Sequence, residues 1–299
     1  MNKFEKMVIA VTSRSLFDLE KSNQVFKKGI KAYREHQLKH ENEPLGKGVA
    51  FPLVKKLLKL KKDNRSLVEV VLISRNDPST GLRAFNAIKK YKLNISRAAF
   101  CGGGFRDGYL KAFNVDLFLS AHSDDVKEAL GDGIPAATIL PRRSETHEEK
   151  KIRFAFDGDS VIFSDEAEKI NAKKGLKAFY RSEKRQANNP LEPGPFKVFL
   201  EKIHKIQNAF PPGNNPIRTA LITARSAPAH ERAIKTLRKW NIYLNEAFFL
   251  GGADKTPILG TYHPDIFFDD QRKNVKRASK KVPSAHVPYG IKNKKKKRK

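Results

Sequence analysis

Hydrophobic residues in this chain gather in short dense runs separated by longer stretches in which apolar positions recur every three or four residues. IAVT (9–12), VEVVLI (68–73), VDLFLS (115–120), FAFD (154–157), TALITA (219–224) and DIFFDD (265–270) are compact and almost wholly apolar until a polar residue ends them. Runs of that length predict strands, and strands apolar on both faces belong in a sheet covered from both sides. RAIKTLRKWNI carries the other period: Ala233, Ile234, Leu237 and Trp240 fall on one helical face. Strands alternating with such helices predict an α/β architecture with parallel sheets and helices on both faces. Ligands of such sheets collect at the carboxyl ends of the strands.

The pattern repeats. Residues 70–126 and 219–275 align without a gap at an offset of 149. VVLISRN faces TALITAR, LRAFNAIKKYKLNI faces ERAIKTLRKWNIYL, AAFCGGGFRDGYL faces AFFLGGADKTPIL, and VDLFLSAH faces PDIFFDDQ. NEPLGKG (42–48) matches NNPLEPG (188–194) at offset 146, and IAVTSRSLF (9–17) lies opposite FAFDGDSVI (154–162) at offset 145. A slow one-way drift of the offset is what loop-length changes produce, so the chain reads as an internal duplication. The expected division is a first unit over 1–148, a second over 149–290, and a basic tail over 291–299 predicted to be disordered. Within the second unit, residues of about 165–216 combine basic helical stretches with the turn-rich NNPLEPGPF and NAFPPGNNP, which predicts a small helical insertion above the strand ends.

The duplication acts as a control for chemistry. The second unit places Asp157 and Asp159 after its first strand, Thr223 after its second, Lys255 after Gly251-Gly252, and Asp269-Asp270 after its last. The first unit has Thr12, Arg14, Ser74, Arg106 and Ser120-Ala121 at the aligned positions. The scaffold is kept while all four acids are absent. Acids that merely capped helices or balanced surface charge would be expected to survive in part, so their segregation points to chemistry in the second unit. Several carboxylates converging at strand ends imply a bound divalent cation, and an all-oxygen set suits Mg²⁺. The eight histidines are scattered and the chain has one cysteine, so no zinc-type ligand spacing exists. An aspartate in such a site is a candidate nucleophile and a second, two residues on, a candidate proton carrier. Lys255 and Thr223 are candidates to bind phosphoryl oxygens. Asp165 and Glu166, at a predicted helix start, read as structural.

Composition narrows the class. The 299 residues are 39% hydrophobic and 31% charged with 20 Phe, which excludes a disordered chain. A single cysteine excludes an intramolecular disulfide and suits a reducing compartment. The apolar runs stop well short of the ~18 residues of a membrane span, and the start MNKFEKMVIAVTSRSLF lacks a signal-peptide core, so the protein reads as cytoplasmic with no membrane partner. Sixty Lys and Arg against 32 Asp and Glu give a net charge of +28, in part from the tail IKNKKKKRK. That excess attracts anionic ligands without choosing among nucleotide, nucleic acid and neither.

DGDSV, LITAR, GGADK and IFFDDQ, in this order, resemble the four motifs of the haloacid dehalogenase (HAD) superfamily of phosphatases. FAFDGDSVIFSDEAE, NNPLEPGPFKVFLE, IRTALITARSAPAHERAIKTLRKW, FFLGGADKTPIL, HPDIFFDDQ and AHVPYG extend the resemblance to the cytosolic 5′-nucleotidase type I family, the AMP-preferring enzymes. The first half joins through AVTSRSLFDLE, LISRNDPSTGLRAFNAIKKY and NVDLFLS, so the likeness spans nearly residues 8–290. It implies two tandem HAD-like, Rossmannoid parallel-sheet units with small helical cap insertions, the first degenerate and the second catalytic. It also implies Mg²⁺-dependent hydrolysis of nucleoside 5′-monophosphates, deoxynucleotides included, through an aspartyl-phosphate. Asp157 would be the nucleophile and Asp159 the general acid/base, with Thr223 and Lys255 in the second and third motifs. Asp157, the backbone carbonyl of Asp159, and Asp269 would hold the metal, with Asp270 in support. Val161 departs from the commonest superfamily pattern, in which a threonine often follows.

Three readings are thus in play: a 5′-nucleotidase, a phosphatase acting on nucleic-acid ends or another phosphate ester, and a basic nucleic-acid-binding protein on an inactive phosphatase fold. In the first half TSR (12–14), SRN (74–76) and GGGFR (102–106) form a basic, glycine-rich rim. Arg14, Arg75, Asn76 and Arg106 are candidates there for binding substrate or a regulatory nucleotide. The tail is a candidate for weak nucleic-acid binding. The sequence does not set base preference or oligomeric state; a homo-oligomer is compatible with it.

Overall fold

The computed structural model describes residues 5–104, 108–141 and 150–294. These divide into two compact units. The first holds the described residues through Ile134 together with Pro141, and the second holds Pro135–Leu140 and the described residues from Lys150 onward.

In the first unit a parallel sheet is built on β1 (Met7–Thr12), β2 (Val68–Ser74), β3 (Arg97–Phe100) and β4 (Leu117–Ser120). β1 lies between β4 and β2, and β3 pairs along the other side of β2. Every residue of β1 and β4 is buried, as wholly apolar strands require. Three helices matter below: α1 (Glu20–Phe26), α2 (Ile30–Lys39) and α3 (Pro78–Lys90), the last started by Asp77, whose side chain accepts from the N–H of Thr80 at 2.9 Å.

The second unit repeats the plan with β6 (Ile152–Phe156), β7 (Ile217–Thr223), β8 (Glu246–Phe249) and β9 (Ile266–Asp269), ordered β8-β7-β6-β9 and all parallel. β10 (Ser284–His286) extends this side in parallel, and β5 (Ala136–Ile139) pairs with β10 antiparallel, Ala285 against Ile139. Here the division expected at residue 148 is corrected. Pro135–Leu140 groups with the second unit, where Ile139 and Thr138 pair with Ala285 and His286. AFFLGG (247–252) and its counterpart AAFCGG (98–103), absent from the runs that predict strands, hold most of β8 and β3.

Between β6 and β7 stand α4 (Glu166–Arg185), broken at Gly175 where φ is +78°, and α5 (Lys197–Asn208). α5 buries Phe199, Leu200, Ile203 and Ile206. Phe199 meets Phe154 edge-on at 5.6 Å, and Phe156 stacks on Phe268 at 5.4 Å, so adjacent strands are tied through one aromatic cluster. α6 (His230–Lys239), α7 (Thr256–Tyr262) and α8 (Arg272–Ala278) follow. Ala155, Ile222, Phe267, Leu259 and Ala278 share a second buried cluster.

The glycines that align between the two copies have a packing reason. A Cβ on Gly194 would lie 2.4 Å from the carbonyl oxygen of Phe163, and one on Gly48 would lie 2.7 Å from that of Ser15. Each glycine donates its N–H at 2.9 Å to a carbonyl of the segment after the first strand, Ile162 for Gly194 and Leu16 for Gly48. NEPLGKG and NNPLEPG thus mark where the returning chain presses against the backbone just past the first strand.

The tail is also corrected in part. Ile291–Asn293 form a 3₁₀ turn, because Asn293 Nδ2 donates to the carbonyls of Asp270 (2.9 Å) and Tyr289 (2.7 Å) and Lys292 pairs with Glu168. Residues 295–299 lie outside the described residues. Among the described residues no helix is long and apolar enough to cross a membrane.

Candidate active site

The carboxyl ends of β6, β7 and β9 converge. Asp157 follows directly on β6 and donates its N–H to the carbonyl of Phe268 at 2.8 Å, which ties the residue to the neighbouring strand. Its Oδ1 accepts from the N–H of Gly158 at 2.7 Å. The site is tight at Gly158, where a Cβ would sit 3.1 Å from Thr223 Oγ1. The chain then folds back through Ser160, a non-glycine residue at φ +64°, whose hydroxyl donates to Glu168 at 3.1 Å. Val161, the position that departs from the superfamily pattern, is fully buried behind this turn.

Lys255 is the hub. Its Nζ lies 2.8 Å from Asp157 Oδ1 and 2.7 Å from Asp269 Oδ2, with all three side chains buried. The two carboxylates beside it outweigh its burial and hold the ammonium charged, well above the ordinary lysine value. Asp269 is further fixed by the N–H of Gln271 (2.7 Å) and by Asn274 Nδ2 (3.2 Å).

Asp157, Asp269 and Asp270 each offer a carboxylate oxygen, all within 4.8 Å of one another. Lys255 neutralises one charge among three. Burial pushes the Asp157 carboxyl up to about 7 against the pull of Lys255, with Asp269 adding to the rise. Burial, with Asp157, Glu168 and Asp269 close by, pushes Asp270 up to about 10. Neither carboxylate oxygen of Asp270 has a hydrogen-bond partner among the described residues. Two orphaned buried oxygens beside two further carboxylates are the donor set of a hard divalent cation. The residues present fit a metal.

The Asp159 side chain lies apart from the trio. Both its oxygens are taken by Arg225, Nε at 2.9 Å and Nη2 at 2.7 Å. Arg225 also pairs through Nη1 with Glu183 on α4, and Glu183 accepts from Arg232 Nη1 at 2.8 Å. Arg232 reaches Glu166 at 2.9 Å. The result is an alternating chain, Asp159–Arg225–Glu183–Arg232–Glu166, with Glu183 fully buried at its centre. These carboxylates hold the Arg225 guanidinium above its ordinary value despite burial. Thr223 is buried at the end of β7, and its Oγ1 accepts from the N–H of Arg225 at 3.3 Å.

Asp157, Thr223, Lys255, Asp269 and Asp270 are therefore gathered at neighbouring strand ends, with Asp159 held alongside by arginine. Arg225, Glu183, Arg232 and Asn274 were not singled out from the sequence. In the first unit Arg14, Arg75 and Asn76 line one cavity, discussed below, while Arg106 lies outside the described residues.

The family model for 5′-nucleotidase matches residues 1–294. Over 288 residues the chain is 38% identical to the human (Homo sapiens) protein named cytosolic 5′-nucleotidase 1B. That match takes in 92% of this chain and 47% of the relative, so the chain spans about half the length of the curated protein it matches. No solved structure matches.

Proposed function

The chain belongs to the 5′-nucleotidase family, and from that premise we propose that its second unit hydrolyses nucleoside 5′-monophosphates to nucleoside and phosphate. The observation that carries this reading is the trio Asp157, Asp269 and Asp270 around Lys255, at the strand ends where an α/β sheet binds its ligands. Asp157, Asp269 and Asp270 would hold Mg²⁺, and the backbone carbonyl of Asp159 is assigned as a further ligand. The bound ion would offset the negative charge of the acids and of a phosphoryl group brought among them.

The rest falls to the protein's own groups. The Asp157 carboxylate attacks phosphorus, forming an acyl–phosphate bond as the bond to the nucleoside 5′-oxygen breaks. Lys255 orients the attacking carboxylate and, with the Thr223 hydroxyl, donates to the phosphoryl oxygens as charge moves onto them. Asp159 protonates the departing 5′-oxygen and then takes a proton from the water that opens the acyl–phosphate. For that, at least one Asp159 oxygen must leave Arg225, which engages both. Asp157 is regenerated and phosphate departs. A cytosolic setting follows the name of the human relative and is part of this proposal.

The net charge of +28 favours a second reading, hydrolysis of phosphate at nucleic-acid ends. One assay separates the two: phosphate release from a panel of nucleoside monophosphates and 5′-phosphorylated oligonucleotides, with Mg²⁺ and with EDTA. Mg²⁺-dependent release from mononucleotides supports the nucleotidase. Release confined to oligonucleotides overturns it.

A further inference from the structure

At the strand ends of the first unit, the counterpart of the acid trio is a cavity of about 470 Å³, within the range of small-ligand sites. The strand ends give it polar lining: Thr12 closes β1, Ser13 and Arg14 follow it, and Arg75 and Asn76 follow β2. α1, α2 and the turn before them add apolar lining from Leu19, Phe26, Ile30 and Tyr33, beside the polar Ser22, Asn23 and Arg34. Phe26 and Ile30 are 51% and 54% exposed, and Phe26 meets Tyr33 edge-on at 5.4 Å.

The internal alignment gives this cavity its sign. Thr12 stands where Asp157 does, Arg14 where Asp159 does, and Ser120 and Ala121 where Asp269 and Asp270 do. Four carboxylates have become one guanidinium and three neutral side chains. The supporting layer has changed with them. Asn76 occupies the place of Arg225, and Gln37, at the offset of 146 that holds for NEPLGKG, occupies the place of Glu183. Instead of a buried ion pair, Tyr33 donates to Asn76 Oδ1 at 2.9 Å and Gln37 donates to Tyr33 at 2.7 Å. A carboxylate site needs a cation before it can receive a phosphate; this one carries its positive charge on its own side chains.

Each guanidinium has one acid partner and donors to spare. Arg14 and Arg75 each use only Nη2 among the described residues, for Glu20 (3.2 Å) and Asp125, and their side chains are 31% and 42% exposed. Asp77, the acid on the lining, is taken up by Arg34 at 3.1 Å and by its helix cap. Gly102 and Gly103 donate to the carbonyls of Asn76 (3.0 Å) and Arg75 (2.6 Å), which fixes the strand end bearing both side chains.

We infer that this cavity binds a phosphate monoester carrying a flat apolar ring system, of the nucleoside monophosphate class, without a metal and without hydrolysing it. The phosphate meets Arg14, Arg75 and the hydroxyls, and the ring meets Phe26 and Tyr33. With threonine in place of the nucleophile, the ester is held intact. This site does not depend on the reaction assigned to the second unit.

The test is equilibrium dialysis of 5′-AMP, adenosine and inorganic phosphate against the full chain in EDTA. One equivalent of 5′-AMP is expected to bind, with the other two probes about tenfold weaker or more. Arg14→Gln should weaken 5′-AMP about tenfold. Asn23→Trp should abolish binding, because Asn23 lines the cavity. Unchanged melting temperatures would show both variants folded. Absence of binding to the intact chain, binding that neither variant moves, or binding lost in Lys255→Gln instead would overturn the site. Inorganic phosphate binding as tightly as 5′-AMP would overturn the ligand class.

Discussion

Arg225 grips Asp159 through two guanidinium nitrogens, at 2.9 and 2.7 Å, while its third nitrogen reaches the fully buried Glu183. One arginine thus joins the loop after β6 to the helical insertion. Its position, two residues beyond Thr223 on a buried strand end, leaves it no water to fall back on.

Removing it strands two carboxylates. Arg225→Ala is expected to destabilise the second unit by about 3–5 kcal/mol, since Glu183 loses one of its two arginine partners in a dry site. Glu183→Gln in the same chain should recover part of that loss. Thermal melting of the two single variants and the double checks it; additive losses would contradict the coupling.

The acid trio makes a statement about pH. In EDTA the Asp270 carboxyl, pushed up to about 10 when folded, titrates near ~3.9 in the unfolded chain. Between those values the folded state holds more protons than the unfolded one, so this group's contribution to stability is full below ~3.9 and is lost as pH rises toward 10. Asp270→Asn removes the titration and leaves the rest of the protein's pH response in place. The variant should gain on the parent steadily with rising pH. A stability gap that does not change with pH would count against a crowded, uncompensated carboxylate.

Matched glycines predict matched failures. Gly194→Ala places a methyl 2.4 Å from a backbone oxygen, and Gly48→Ala places one 2.7 Å away. Neither backbone can retreat as a side chain would, so each variant should lose at least about 2 kcal/mol. Chemical denaturation reads it directly. A neutral effect at either position would mean the returning chain is free to shift.

Much of this was legible in the chain because of how it repeats. β1, β2, β6 and β7 announce themselves as apolar runs, since a sheet covered on both faces leaves no polar alternation. Asp157, Lys255, Asp269 and Asp270 stood out because an aligned copy lacks them. β5 and β10 did not: four and three residues long, they have too few positions for a period to show. The Arg225–Glu183–Arg232 chain was missed for a different reason. Arg225 lies in the loop after β7 while Glu183 and Arg232 lie on helices, so their burial depends on mutual pairing that no single segment displays. A trace of it was present, since Arg225 and Glu183 become Asn76 and Gln37 in the copy, changing together with the acids.

Asp157 is the proposed nucleophile. Phosphate release from 5′-AMP with Mg²⁺, compared between the parent chain and Asp157→Asn, tests that role most directly. Asparagine keeps the shape and the contact with Gly158 but lacks the nucleophilic oxygen. A fall of about a thousandfold or more, with the fold intact, is expected. Release within a few fold of the parent would place the nucleophile elsewhere and contradict the assignment.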